Sequence, residues 1–328
     1  MKKFLVIQTA FLGDAVLVTS ILEKLHAFYP DARIDLVVRK GNDGLFVDHP
    51  FIHTLRVWDK RKGKTRTLLS LIGELRKTRY DHIINAQRFF STGLMTVLVR
   101  GTEKIGYDKN PLSFLFTRKV KHVIGDGRHE VDRLNALIEH LTDVSRPLPK
   151  LYPTPQAASE VERAKLDLDT GERYVCIAPA SVWYTKQWPQ EKWVQLIHLL
   201  PEDLQVFLIG APGDTALCGS IISASGRGLL VTGELSLLGS AALMKGAVMN
   251  FVNDSAPLHI ASAMNAPVTA VFCSTIPTFG FGPLHENGRV VEITGKLDCR
   301  PCGLHGYKAC PKGHFKCAIG IEAKNVAS

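Results

Sequence analysis

The feature that most restricts this chain is a rhythm that runs, stops at a proline cluster and starts again. Short apolar runs of strand length alternate with longer stretches whose apolar side chains recur every three or four residues. Phe4-Leu5-Val6-Ile7 is a short buried strand, and Leu17, Val18, Ile21, Leu22, Leu25 and Phe28 form a helical stripe over residues 15–28. Arg33 to Val38, Thr54 to Trp58 and Asp81 to Ala86 read as further strands, with helical stretches over 65–77 and 128–142. Pro147, Pro149, Pro153 and Pro155 then fall within nine residues and predict a linker. Beyond it, Tyr174 to Ala178, Leu204 to Ile209, Val248 to Val252 and Val268 to Phe272 are expected strands. Helices are expected near 189–200, 214–224, 236–246 and 255–264. Such alternation predicts parallel sheets covered on both faces. The expected fold class is therefore α/β, with two Rossmann-like domains, residues 1–150 and 151–328, facing a shared crevice. Ligands in such sheets bind beyond the carboxyl ends of the strands, which directs attention to the strand-to-helix turns.

The 328 residues suffice for two separate cores. No apolar run of membrane-spanning length is free of charge. Lys2-Lys3 before an apolar stretch has the look of a signal peptide, but Asp14 interrupts the stretch and Gly13-Asp14 reads as a turn into a helix. Charge separates the halves. Residues 1–150 hold 26 Lys+Arg against 16 Asp+Glu, a net +10, and residues 151–328 hold 14 against 15, a net −1. A basic half beside a neutral one implies an anionic partner for the first domain. The densest run, Lys60 to Arg66, is expected to be a mobile loop. Nucleic acid is not favoured, because the basic residues are not interleaved with aromatics; an anionic lipid surface or a phosphorylated glycan fits as well.

Four turns could carry chemistry. Thr9 to Asp14 ends in a carboxylate that is either a plain helix cap or a general base. Gly13 there would permit a tight bend, and the helix N-terminus would keep Asp14 ionised and weaken it as a base. Pro179 to Pro189 offers Ser181 and Lys186 to a diphosphate. Leu208 to Asp214 ends in an acid that could hold ribose hydroxyls or simply cap a helix, and its glycines do not match a dinucleotide fingerprint. Phe251 to His259 leads a strand into Asp254-Ser255-Ala256-Pro257, small residues that let an anion approach a helix N-terminus. His259 is either a ligand contact or a buried helix-face histidine.

Seven cysteines, an odd number with Cys176, Cys218 and Cys273 in apolar surroundings, indicate a reducing compartment. Cys299, Cys302, Cys310 and Cys317 crowd one segment with His314. Zinc ligands, reduced structural thiols and a local disulfide all remain open for them.

With these motifs in order, the chain resembles the lipopolysaccharide heptosyltransferases of glycosyltransferase family 9 over nearly its whole length. The resemblance rests on T-x-x-x-G-D at Thr9 to Asp14, S-x-x-x-x-K-x-W-P at Ser181 to Pro189, D-S-A-x-x-H at Asp254 to His259, and the Cys-rich tail. It implies a GT-B fold and an inverting, metal-independent transfer from ADP-heptose to the inner core of lipopolysaccharide, with no cofactor. It also implies a cytoplasmic enzyme peripheral to the inner membrane. Asp14 matches the general base, and Lys186 assists departure of the donor phosphates. Ser181, Lys186, Asp214, Leu235, Asp254, Ser255, Ala256 and His259 match donor contacts, Leu235 against adenine and Asp254 toward the heptose. Thr9, Gly13, Arg88, His129 and Arg133 fall on the acceptor side, His129 and Arg133 four apart on one helix face. Gln8, Val182 and Ala256 depart from the family pattern, where a basic residue, a second hydroxyl and Gly are common. The tail looks more like the second heptosyltransferase than the first. Competing expectations are a silent module binding nucleotide or anionic glycolipid, a GT-B enzyme using another nucleotide-sugar, and a zinc-organised interaction protein.

Overall fold

In the computed structural model, which describes residues 1–166 and 173–328, the chain divides between Tyr152 and Pro153. The first unit opens with β1 (Lys3–Gln8), α1 (Leu12–Leu17), α2 (Thr19–Phe28), β2 (Arg33–Arg39) and β3 (Ile52–Trp58). It continues through α3 (Lys64–Leu75), β4 (Tyr80–Asn85), α4 (Phe90–Leu98), β5 (Gly101–Tyr107), β6 (Arg118–Val120) and α5 (Glu130–Ala136). The six strands lie in the order β3-β2-β1-β4-β5-β6, all neighbours parallel. Phe4, Leu5, Val6 and Ile7 are wholly buried, as a central strand covered on both faces requires. The winding reverses between β1 and β4, which is where such sheets open a ligand crevice.

Two sequence expectations fail in this unit. The basic run is not all loop: Lys64 to Arg66 form the first turn of α3, and the Lys60 ammonium donates to the Thr9 carbonyl at 2.7 Å. The stretch 128–142 is not one helix either, since α5 stops at Ala136 and a single 3-10 turn follows at Glu139–Leu141.

The second unit runs α6 (Pro155–Ala164), β7 (Tyr174–Ala178), α7 (Gln190–Leu199), β8 (Gln205–Leu208), α8 (Thr215–Ser225) and β9 (Leu229–Leu230). Then come α9 (Leu237–Gly246), β10 (Met249–Asn253), α10 (Ala256–Ala263), β11 (Val268–Phe272), β12 (Gly288–Glu292), α11 (Lys316–Ile319) and α12 (Ala323–Ala327). Its order, β12-β11-β10-β7-β8-β9, is again all parallel. The reversal now lies between β7 and β10, so the first unit's winding is repeated. The end of the proline cluster is a helix start: Pro155 sits in the first turn of α6, where no N–H is missed, and the Thr154 hydroxyl caps it at 3.2 Å. The tail is part of the core, with Cys317, Ala318, Ile321 and Val326 packed among the buried side chains of α7 and β8.

Candidate active site

On the first sheet, Asp14 sits in the first turn of α1, just past the carboxyl end of β1. The preceding turn is held from several sides. Asn42 Nδ2 donates to the Ala10 carbonyl at 3.0 Å, the Ala10 N–H donates to Gln8 Oε1 at 3.2 Å, and Gln87 Nε2 donates to the same Gln8 oxygen. Gln8, the residue that departs from the family pattern, therefore ties β1 to the end of β4. The bend is made upstream by Thr9 to Phe11, and Gly13 is a helical residue of α1 rather than the bending glycine expected.

The electrostatics of Asp14 also reverse an expectation. Burial, and next the Glu130 carboxylate, push its pKa up to about 7, against the N–H groups of Phe11 and Asp14 and the charge of Arg88. The helix end does favour the ionised form, but desolvation outweighs it. Asp14 is thus half-protonated near neutral pH, which suits a proton acceptor.

Around it lies a charged group that the motifs only partly disclosed. Arg88, half-buried after β4, acts on Asp14, Glu130 and His122 alike. Glu130 is buried, and its carboxylate accepts from Arg133 Nε at 2.7 Å. Burial raises its pKa against the Arg133 and Arg88 charges. Burial, then Arg88 and Arg133, pull His122 down to about 4, and its ring packs edge-on to Tyr107 at 4.4 Å. Glu130 lay beside the recognised His129, but an acid in a first helical turn reads as ordinary capping.

His129 and Arg133 stand one helical turn apart, the Arg133 N–H donating to the His129 carbonyl at 3.3 Å. His129 is the N-cap of α5: its Nδ1 accepts the Val131 N–H at 3.1 Å, and its own N–H donates to Asp132 at 3.0 Å. Arg133 is 1% exposed and donates to Glu130 and to the Arg128 carbonyl, each at 2.7 Å.

On the second sheet, parallel strands bring Ser181, Lys186, Asp214, Leu235, Asp254 and Ser255 to one carboxyl edge. The turn after β7 is stapled to β10 by Asn253, which donates to the Pro179 carbonyl at 2.7 Å and accepts the Trp188 N–H at 3.0 Å. Gln187 Nε2 holds the Ser181 carbonyl at 2.7 Å. Lys186 Nζ lies 2.7 Å from Asp254 Oδ2, which also accepts from the Thr275 hydroxyl at 2.5 Å. Ser255 is the N-cap of α10, but its hydroxyl leans back to the Asn253 carbonyl at 3.4 Å and leaves the helix end uncapped. Ala256 and Pro257 follow with little bulk, so the positive end of α10 is accessible beside the Lys186 ammonium.

Other expected donor residues have local duties. The Asp214 carboxylate accepts the Ala211 N–H at 2.8 Å, closing the turn before α8. Leu235 is half-exposed between β9 and α9. His259 is 5% exposed on α10, its ring 6.2 Å from that of Phe281. Thr185, Asn253 and Thr275, which organise the Lys186 turn, escaped notice because lone hydroxyls and amides at strand ends are common.

The tail reaches this edge. Cys302 N–H donates to the Ser274 carbonyl at 2.8 Å, and Arg300 donates to the carbonyls of Cys273 and Thr275, each at 2.7 Å. Thr185 and Tyr307 exchange backbone and hydroxyl bonds at 3.1 and 2.7 Å. All seven cysteines are free thiols. Burial raises the Cys310 thiol, but the N–H groups of Phe315, Lys312, Gly313 and His314 outweigh it and hold the pKa below its ordinary value. His314 Nδ1 accepts the Lys316 N–H at 3.1 Å, and its Nε2 lies 3.9 Å from Cys299 Sγ. Among the described residues no group of three or more His, Cys, Asp or Glu is disposed to hold a metal ion. The segment straps the tail to the donor edge.

The sequence model of glycosyltransferase family 9 (heptosyltransferase) matches residues 68–306. A lipopolysaccharide heptosyltransferase 1 of Pseudomonas aeruginosa is 26% identical over 92% of this chain and 86% of its own length. A lipopolysaccharide heptosyltransferase 3 of Escherichia coli is 29% identical over 84% of this chain and 83% of its own. The structure of the Escherichia coli ADP-heptose lipopolysaccharide heptosyltransferase II superposes with a TM-score of 0.80 at 21% identity, covering 100% of this chain and 96% of that one.

Proposed function

The chain belongs to glycosyltransferase family 9, the heptosyltransferases, and from that premise we propose that it moves heptose from ADP-heptose to the inner core of lipopolysaccharide. The names of its relatives support this donor and acceptor. The observation that carries the chemistry is Asp14, half-buried at the carboxyl edge of the first sheet with its pKa raised to about 7.

In this reading the acceptor hydroxyl loses its proton to Asp14 as its oxygen attacks the anomeric carbon. The bond to the diphosphate breaks on the opposite side, the configuration inverts, and ADP leaves with the electron pair. Negative charge gathers on the diphosphate. Lys186 and the uncapped end of α10 stabilise it there, doing by fixed positive charge what a metal ion does elsewhere. Asp254 then has two tasks: it holds Lys186 in place before the donor arrives and meets the sugar afterwards. Arg88 supplies positive charge beside Asp14 for an anionic acceptor. Ser181, Asp214, Leu235, Ala256 and His259 complete the donor site, and Thr9, His129 and Arg133 shape the acceptor side.

No helix of the described residues is long and apolar enough to cross a membrane. We infer from the relatives' acceptor that a membrane-anchored glycan is met from the cytoplasmic surface of the inner membrane.

The test is transfer from ADP-heptose to a truncated core oligosaccharide, followed by mass spectrometry, beside a thermal-shift screen of ADP, GDP and UDP. A product one heptose heavier and stabilisation by ADP alone are expected. No product, with equal or no stabilisation by the three nucleotides, would refute the reading.

A further inference from the structure

We propose that the carboxyl edge of the first sheet is a lipid-docking surface, seated on an anionic membrane through Phe90 and Phe114. The proposal rests on the reading of the acceptor as a membrane-anchored glycan and names the face on which it is met. All six strands of this sheet are parallel, so every turn that follows a strand leaves on the same edge. Those turns point large apolar side chains outward. Phe11 follows β1, Phe89 and Phe90 follow β4, and Phe114 and Leu115 follow β5, with exposures of 49%, 60%, 57%, 71% and 48%. Single exposed apolar residues are ordinary; five gathered on one edge mark an interaction surface.

Asn110 makes the two aromatic turns one rigid piece. It is 2% exposed, and its Nδ2 donates to the carbonyls of Gln87 and Phe89 at 3.3 and 3.1 Å, while its Oδ1 accepts the Leu112 N–H at 3.0 Å. A Cβ on Gly93 of α4 would lie 2.2 Å from that oxygen, so the helix presses directly on the clamp. Rings held on braced turns can enter an interface without first being ordered.

Charge decides the partner. Arg61, Lys62, Lys109 and Lys121 stand exposed on the turns of this edge. Its acids are mostly occupied locally: Asp43 by Lys40 at 2.9 Å, Asp126 by Arg128 at 2.8 Å, and Asp108 by the His122 N–H at 2.9 Å. Aromatic rings among free cations fit the boundary of an anionic bilayer, where rings lie at headgroup depth and Lys and Arg meet phosphate. Asp14 and Arg88 open on the same edge, so docking would bring the acceptor headgroup to the proton acceptor.

The experiment is co-sedimentation of the full chain with phosphatidylglycerol–phosphatidylethanolamine vesicles and with phosphatidylcholine vesicles. Wild type is expected to bind the anionic vesicles preferentially and to be released by high salt. A Phe90→Ser/Phe114→Ser variant should lose about tenfold or more in vesicle affinity, with an unchanged melting temperature and unchanged transfer to a soluble core oligosaccharide. Lys109→Glu/Lys121→Glu should weaken binding severalfold, and Phe28→Ser, an exposed ring at the end of α2 on the opposite edge, should not. Wild-type binding by the Phe90/Phe114 variant, or an equal loss in Phe28→Ser, would overturn the proposal. Absence of transfer by wild type to the soluble acceptor would instead refute the heptosyl reading and leave the vesicle result standing.

Discussion

The Lys186 ammonium and the Asp254 carboxylate lie 2.7 Å apart, joining two turns from opposite sides of the winding reversal in the second sheet. Both side chains are largely buried, at 15% and 6% exposure. Removing one partner strands the other in a poorly solvated place. Lys186→Met should therefore destabilise the chain by about 3 kcal/mol and weaken ADP binding at least tenfold. The double variant Lys186→Met/Asp254→Asn should recover much of that stability and none of the affinity. Denaturation and calorimetry read both quantities. Unchanged ADP affinity in Lys186→Met would remove Lys186 from the donor site.

The tail supports the same turn. Gly306 has φ of +76°, and a Cβ there would lie 2.7 Å from the Thr185 hydroxyl. Gly306→Ala meets both a disfavoured backbone region and the neighbour that holds the Lys186 turn. A loss of about 1–2 kcal/mol is expected, with a severalfold rise in the dissociation constant for ADP. A variant that loses stability yet binds ADP like wild type would show the strap to be independent of the site.

Much of this architecture was legible in the sequence. β1 and β7 are built on continuous apolar runs, β10 and β11 are apolar but for Asn250, Asn253 and Thr269, and the turns after β1, β7 and β10 carry the motifs. β5 was missed because Gly101-Thr102-Glu103-Lys104 lacks any apolar run, and α6 because its first residue closes a proline cluster. The site was legible only as separate turns. That Lys186 meets Asp254, or that Glu130 bears on Asp14, depends on tertiary contacts across 68 and 116 residues of sequence that no local pattern records. The protonation of Asp14 was misjudged for a related reason. A helix end is visible in sequence, but the depth of burial that overrides it is not.

The Glu130 carboxylate is the second cause of the raised pKa of Asp14. Glu130→Gln keeps the shape and removes the charge, so the folded pKa of Asp14 should fall. The acid limb of the pH profile of kcat/KM should then move to lower pH, and the variant should retain more of its activity below pH 7 than wild type does. An acid limb that stays in place would mean that another group titrates there.

Stability should respond to Asp14 in the opposite sense from activity. Its folded pKa lies above the ordinary carboxylate value of 3.8, at about 7, so the native state binds the proton more tightly than the unfolded chain does. Its contribution is then most favourable below pH 3.8 and is lost as pH rises through about 7. Asp14→Asn removes that penalty and should be more stable than wild type at pH 8 by about 1–2 kcal/mol or more, with the difference shrinking as the pH falls from 7 toward 3.8. Were Asp14 merely a helix cap, Asn would serve nearly as well at every pH.

Whether Asp14 takes the acceptor's proton in a heptosyl transfer is decided by the turnover of Asp14→Asn with ADP-heptose and a truncated core acceptor. We expect kcat to fall by more than ~10²-fold while ADP-heptose binds as it does to wild type. Turnover near the wild-type value would contradict that role.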